Sequence, residues 1–92
     1  MIESFRHKGL KRLYDRGDRS KLPPDMIERI ILILSDLDSA TDLAGLDFAS
    51  YRLHELSGSR KGEWSITVRA NWRIVFRIEA GAVYDVNFED YH

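Results

Sequence analysis

The residues best equipped for chemistry in this chain are gathered at its end. Glu89-Asp90-Tyr91-His92 bring two carboxylates, a phenol and an imidazole together, with the terminal carboxylate on His92. Imidazole titrates near pKa ~6.5, so it takes or gives a proton close to neutral pH, and a phenol donates or orients. A second group is the arginine series Arg69, Arg73 and Arg77, beside Arg52, His54 and Ser65. Guanidinium is charged at every physiological pH and forks two hydrogen bonds onto a phosphate. If the last strand runs beside residues 72–79, the tail reaches one end of the same sheet, where His54, Arg73, Tyr91 and His92 converge as an acid/base site. Two other readings stay open. Two histidines and an aspartate suit a divalent ion, although no HExxH or other ligand spacing supports it. The tail could equally be frayed and the arginines solvated decoration. His7 reads as a cap or decoration of the first helix. No spacing indicates a Ser-His-Asp arrangement, Gly58 and Gly62 lack a phosphate-loop context, and without cysteine there is no thiol nucleophile, zinc ribbon or redox pair.

The elements that must position these groups follow from periodicity. Ile2 to Phe5 reads as a short first strand. His7 to Arg16 carries Leu10, Leu13 and Tyr14 at helical spacing and stops at Gly17. Pro23-Pro24-Asp25 opens a second helix, because proline suits a first turn and Asp25 complements the dipole; Ile27, Ile30, Ile31, Leu34 and Leu37 continue it. Leu32 and Ile33 widen its apolar face, so it is expected to lie largely buried against a sheet. Residues 39–50 read as a short helical turn and connector. From Tyr51 the period falls to two: a strand from Tyr51 to Leu56, a loop over 57–62, then Trp64, Ile66 and Val68 alternating with Ser65, Thr67 and Arg69. Trp72, Ile74, Phe76 and Ile78 alternate with Arg73, Val75 and Arg77, Ala80-Gly81 turns, and Val83 to Phe88 forms a last strand. Helices followed by strands predict an α+β architecture, two N-terminal helices packed on a meandering, mainly antiparallel sheet.

Length and charge narrow the function classes. A chain of 92 residues that is 43% hydrophobic fits a single domain over 1–92, with no room for a second. The longest aliphatic run, Ile30 to Leu34, is too short to span a bilayer, and the basic opening residues lack an apolar signal core, so the expectation is a cytoplasmic protein that does not enter membranes. A net charge of −1 argues against nucleic acid only when taken whole. Residues 1–21 carry +4, 22–50 carry −5, 51–79 carry +3 and 80–92 carry −3. Two basic blocks can share one face, and that face governs attraction of phosphate.

Three stretches carry a resemblance: Met1-Ile2, Ser4-Phe5 and His7-Lys8-Gly9-Leu10 at the start; Leu53-His54, Leu56, Gly58, Arg60, Gly62 and the run from Trp64 to Ile74 in the middle; and Glu89-Asp90-Tyr91-His92 at the close. Together they strongly resemble the HigB-type toxins of the RelE/ParE superfamily, over essentially the whole chain. The resemblance implies a compact domain of two helices on a twisted antiparallel sheet. It implies an endoribonuclease that cuts messenger RNA in the ribosomal A site and is held inactive by a HigA-type antitoxin. The implied cleavage uses the ribose 2′-OH as nucleophile and needs no metal or other cofactor. Carried over, Tyr91 and His92 match the family's terminal functional pair and Arg73 its phosphate-stabilising arginine, with Asn71, Asp90 and His54 at other active-site positions. Ser57 stands where some members have a phosphate-holding lysine, and Arg60 and Lys61 of the same loop are the candidate substitutes, with Arg69 as a further RNA contact. A ParE-like inhibitor that binds DNA gyrase without catalysis, or a plain RNA-binding module, are the alternatives.

Overall fold

A computed structural model describes residues 1–91. Helix α1 (Lys8–Arg16) starts on His7, whose Nδ1 accepts the amide hydrogen of Leu10, and ends on Gly17 at φ 69°, a left-handed cap that any side chain would strain. Pro24–Met26 form one 3-10 turn leading into helix α2 (Ile27–Ser39). The connector holds a 3-10 turn over Leu43–Leu46, capped by the Asp42 side chain on Gly45 N, as its small and turn-forming residues predict. Four strands follow, β1 (His54–Glu55), β2 (Trp64–Arg69), β3 (Trp72–Glu79) and β4 (Ala82–Asp90), antiparallel in the order β1-β2-β3-β4. Ala80 and Gly81, at φ 48° and 79°, make the two-residue β3–β4 turn with positive φ at both centres, the kind whose twist matches a hairpin.

The core lies between the helices and one face of the sheet: Leu10, Ile30, Ile33 and Leu37 meet Ile66, Ile74, Phe76, Val83 and Val86, all fully buried. Strict alternation cannot place both Val83 and Val86 inward. A bulge at Asp85 (φ 57°) inserts one extra residue, so Val75 pairs with Asn87 but Arg77 pairs with Tyr84.

Four expectations are corrected. Residues 2–5 do not form a strand; Ile2 and Phe5 make single parallel bridges to Val83 and Val86 of β4. The Tyr51 strand shrinks to His54–Glu55, because Tyr51 turns into the core, its hydroxyl donating to Asp36 Oδ2 at 2.5 Å, and Arg52 takes φ 48°. Helix α2 is buried on one side only: Ile31 and Leu32 remain 38% and 51% exposed. The outer sheet face is not fully wet either, since Ser65 and Val75 are both 1% exposed beneath the 57–62 loop side of the sheet. Among the described residues no helix is long and apolar enough to cross a membrane.

Candidate active site

Residues opposite each other on paired strands share a face. Thr67, Arg73 and Glu89 therefore form one row across β2, β3 and β4, and His54, Ser65, Val75 and Asn87 form the next, all on the face away from the helices. Trp72 and Phe88 lie on the other face, stacked at 4.6 Å between ring centres, with His7 edge-on to Phe88.

Arg73 is fixed at the end of this face by the backbone. Its Nη1 donates to the carbonyls of Ala70 at 2.7 Å and Trp72 at 3.3 Å, which folds the guanidinium onto the β2–β3 turn. Ala70 takes φ 51° to make that turn. Arg73 Nε is buried and has no hydrogen-bond partner among the described residues, and the same is true of Ser65 Oγ and Thr67 Oγ1 on the same face. Unpaired buried polar atoms are costly in a folded protein, and Arg29 Nε on α2 is a fourth such atom.

The turn also receives the tail. Tyr91 N donates to the Asn71 carbonyl at 2.8 Å, so Asn71, Arg73 and Tyr91 occupy one end of the sheet. Tyr91 is exposed, as are Asn71 and Asp90. Asp90 is opposite Trp72, so alternation sends it to the helix side while Glu89 faces with Arg73. His92 lies outside the described residues.

Other candidates stand apart. His54 shares the face but sits on β1, two strand spacings from β3, roughly 10 Å; it is exposed, with Nδ1 at 3.0 Å from the Arg52 carbonyl. Arg69 leaves the arginine series altogether. A register shift between Thr67 and Arg69 sets it opposite Trp72, and its guanidinium pairs with Asp25 ahead of α2. Arg60 is held by Glu63 and Glu89, which lowers the carboxyl pKa of both, chiefly through those hydrogen bonds. Lys61, next in the loop, is exposed. Arg77 lies 3.9 Å from Asp85.

Sequence reading set Ser65 beside the arginines but passed over Thr67 and Glu63 as chemistry. The alternation of β2 did place Ser65 and Thr67 beside Arg73, and an Arg60–Glu63 spacing of three was visible, but nothing in the order of residues brings Glu89 to Arg60.

The chain shares its fold with solved bacterial proteins. A YafQ variant from E. coli superposes with TM-score 0.65 at 18% identity, covering 98% of this chain and 91% of that one. YoeB, solved in a YoeB–YefM complex from Staphylococcus aureus, gives TM-score 0.61 at 16% identity, covering 100% and 95%. These show the fold alone. The family described as the RelE-like toxin of type II toxin-antitoxin system HigB matches residues 3–92, and the chain belongs to that family. It is 50% identical over 92 residues to Endoribonuclease HigB of Proteus vulgaris, with 100% of both chains covered.

Proposed function

We propose that this toxin is an endoribonuclease that cuts messenger RNA in the decoding site of the bacterial ribosome, residues 1–92 working as one domain in the cytoplasm. The endoribonuclease activity rests on a 50% identical relative of that name over the whole chain. The observation that supports the chemistry best is Arg73: a guanidinium anchored through Nη1 to the β2–β3 turn, at the same end of the sheet as Asn71 and Tyr91.

In this reading the ribose 2′-oxygen attacks the adjacent phosphorus, forming the 2′-O–P bond as the P–O5′ bond breaks. The products are a 2′,3′-cyclic phosphate and a 5′-OH. Arg73 neutralises charge that builds on the phosphate oxygens, an interaction that is worth most when the donor is fixed beforehand. His92 is first choice for moving the proton, from the 2′-OH or to the 5′-oxygen, a role contributing roughly 100- to 10,000-fold. Tyr91, held to Asn71, orients or shares that transfer, with Asp90 and His54 supporting from farther off. Lys61 supplies the point charge that Ser57 cannot. A site this open lacks walls to position RNA, and the ribosome supplies that positioning.

A type II toxin is paired with an antitoxin protein, here of the HigA type. The acidic stretch 22–50 provides a surface separate from the site: Ile31 and Leu32 are exposed on α2, flanked by Tyr14, Phe48 and the carboxylates of Asp36 and Asp38.

The test is brief expression followed by mapping of message 5′ ends, comparing the native chain with Arg73→Ala and a chain lacking His92. New ends that depend on both residues support the reading. Growth arrest with unchanged ends refutes it, and gyrase-linked DNA breaks in its place favour the non-catalytic inhibitor.

A further inference from the structure

Arg60 looks in the sequence like a loop cation free to meet phosphate, and its surroundings argue otherwise. Nε and Nη2 donate to Glu63 at 3.1 Å each, while Nη1 and Nη2 donate to Glu89 Oε1 and Oε2 at 2.8 and 2.7 Å. One planar cation grips two carboxylates bidentately, using four of the five N–H donors a guanidinium has. Asn87 Nδ2 holds Glu89 Oε2 as well, at 3.1 Å. Glu63 lies just ahead of β2 and Glu89 on β4, so the side chain reaches across β3, over the face where Val75 is buried. With four donors committed to two carboxylates, Arg60 has little left to offer a phosphate.

Glu89 is also directly opposite Arg73 on the same face. Cross-strand neighbours have Cβ atoms only about 4.5 to 5.5 Å apart, and an Arg and a Glu so placed attract each other. Among the described residues no ion pair joins them: both Glu89 oxygens are taken by Arg60, and Arg73 Nη1 rests on two carbonyls. We propose, on the phosphate role given above to Arg73, that Arg60 is a positioning residue that holds Glu89 away from Arg73. It thereby keeps the charge of Arg73 uncompensated for substrate, and fastens the 57–62 loop to the strand that leads into Asp90 and Tyr91. Without Arg60, the Glu89 carboxylate turns to Arg73 and competes with the scissile phosphate for it.

The experiment compares native toxin, Arg60→Gln and Arg60→Gln/Glu89→Gln in single-turnover cleavage of message on programmed ribosomes. Arg60→Gln should slow cleavage by about 10- to 100-fold, less than the roughly 100- to 1,000-fold typical of removing a stabilising donor outright. The double variant should regain most of that loss, because a neutral amide at 89 does not compensate Arg73. A native rate in Arg60→Gln overturns the proposal. So does a double variant no faster than the single one, the result expected if Arg60 served only folding or touched phosphate itself. Side-chain 15N NMR of Arg73 in the free protein gives a second reading: the guanidinium signals should shift and exchange more slowly in Arg60→Gln and return in the double variant. Absence of cleavage by the native chain would refute the ribonuclease reading alone. The NMR comparison would still decide the role of Arg60, since Arg73 signals unmoved by Arg60→Gln overturn it.

Discussion

Replacing Gly9 by alanine should destabilise this protein, against the usual rule for a glycine inside a helix. In an unstrained helix the exchange gains up to about 1 kcal/mol, because glycine loses more backbone freedom on folding. Here a Cβ at position 9 would stand 2.8 Å from His7 Cε1 and 2.9 Å from Lys21 Cβ. Carbon atoms settle at about 3.5 to 4.0 Å, so the ring must retreat by roughly 0.7 Å or more. That ring is the cap of α1, with Nδ1 3.2 Å from Leu10 N, and it packs edge-on against Phe88. A lost cap costs about 1 kcal/mol and a lost aromatic contact about 0.5 to 1.5 kcal/mol. With the crowding at Lys21 added, the net is a loss of about 1 to 2 kcal/mol, and for a domain of this size each kcal/mol lowers Tm by roughly 4 to 8 °C. Thermal and urea unfolding of the native chain, Gly9→Ala, His7→Ala and the double variant provide the assay. Gly9→Ala should cost less in the His7→Ala background, where part of the obstacle is gone. A Gly9→Ala protein more stable than the native one would refute the reasoning. Acid probes the same cap. Burial lowers the His7 pKa below its ordinary 6.5, so the contribution of the neutral ring is complete above pH 6.5 and is lost as pH falls through the lower folded value.

Arg73→Ala should reduce single-turnover cleavage on programmed ribosomes by about 100- to 1,000-fold, and Arg73→Lys should restore little, since an ammonium keeps the charge without the fork; cleavage within threefold of native would remove Arg73 from the chemistry. Glu63 and Glu89 have folded pKa values held below the ordinary 4.5 by Arg60, so their stabilisation is complete above pH 4.5 and disappears as pH falls through the lowered values. Urea titrations between pH 7 and 3 should therefore show an acid loss that Arg60→Gln flattens; equal slopes would refute it. Ile31→Glu with Leu32→Glu should weaken antitoxin binding at least tenfold, measured by calorimetry, while cleavage on ribosomes is unchanged, because both side chains are already exposed and far from Arg73 in the fold. Unchanged affinity would move the antitoxin surface elsewhere.

The features legible in the sequence were those set within one element. The spacing of Leu10 and Leu13, the two prolines before α2 and the alternation from Trp64 to Ile78 are each local signals, and the structure follows them except on the outer face, where Val75 is buried. Features that depend on how elements meet were hidden. Ile31 and Leu32 fit the apolar pattern of a buried helix, yet only one side of α2 has a sheet to lie on. Arg69 follows the alternation of β2, but the register shifts between Thr67 and Arg69, and its guanidinium meets Asp25. Asp85 has no glycine beside it to announce a bulge. At the site, the end-of-sheet meeting of Asn71, Arg73 and Tyr91 was deducible from strand order, whereas the grip of Arg60 on Glu89, 29 residues away, needs the path of a loop over the sheet.

The parallel bridges at Ile2 and Phe5 impose an order on birth as well as on shape. Amides and carbonyls of residues 1–6 bond to Val83 and Val86, and Ser4 reaches Asp85 across 81 residues. β4 is translated after everything it joins, so during synthesis the opening segment waits unpaired, the core lacks one wall, and Arg73 has neither Glu89 nor Tyr91 at its side. A half-made chain therefore lacks the assembled end of the sheet where Asn71, Arg73 and Tyr91 meet. The site is complete only once the last strand slides between the first residues and β3, so the chain becomes a working toxin in its final step of assembly.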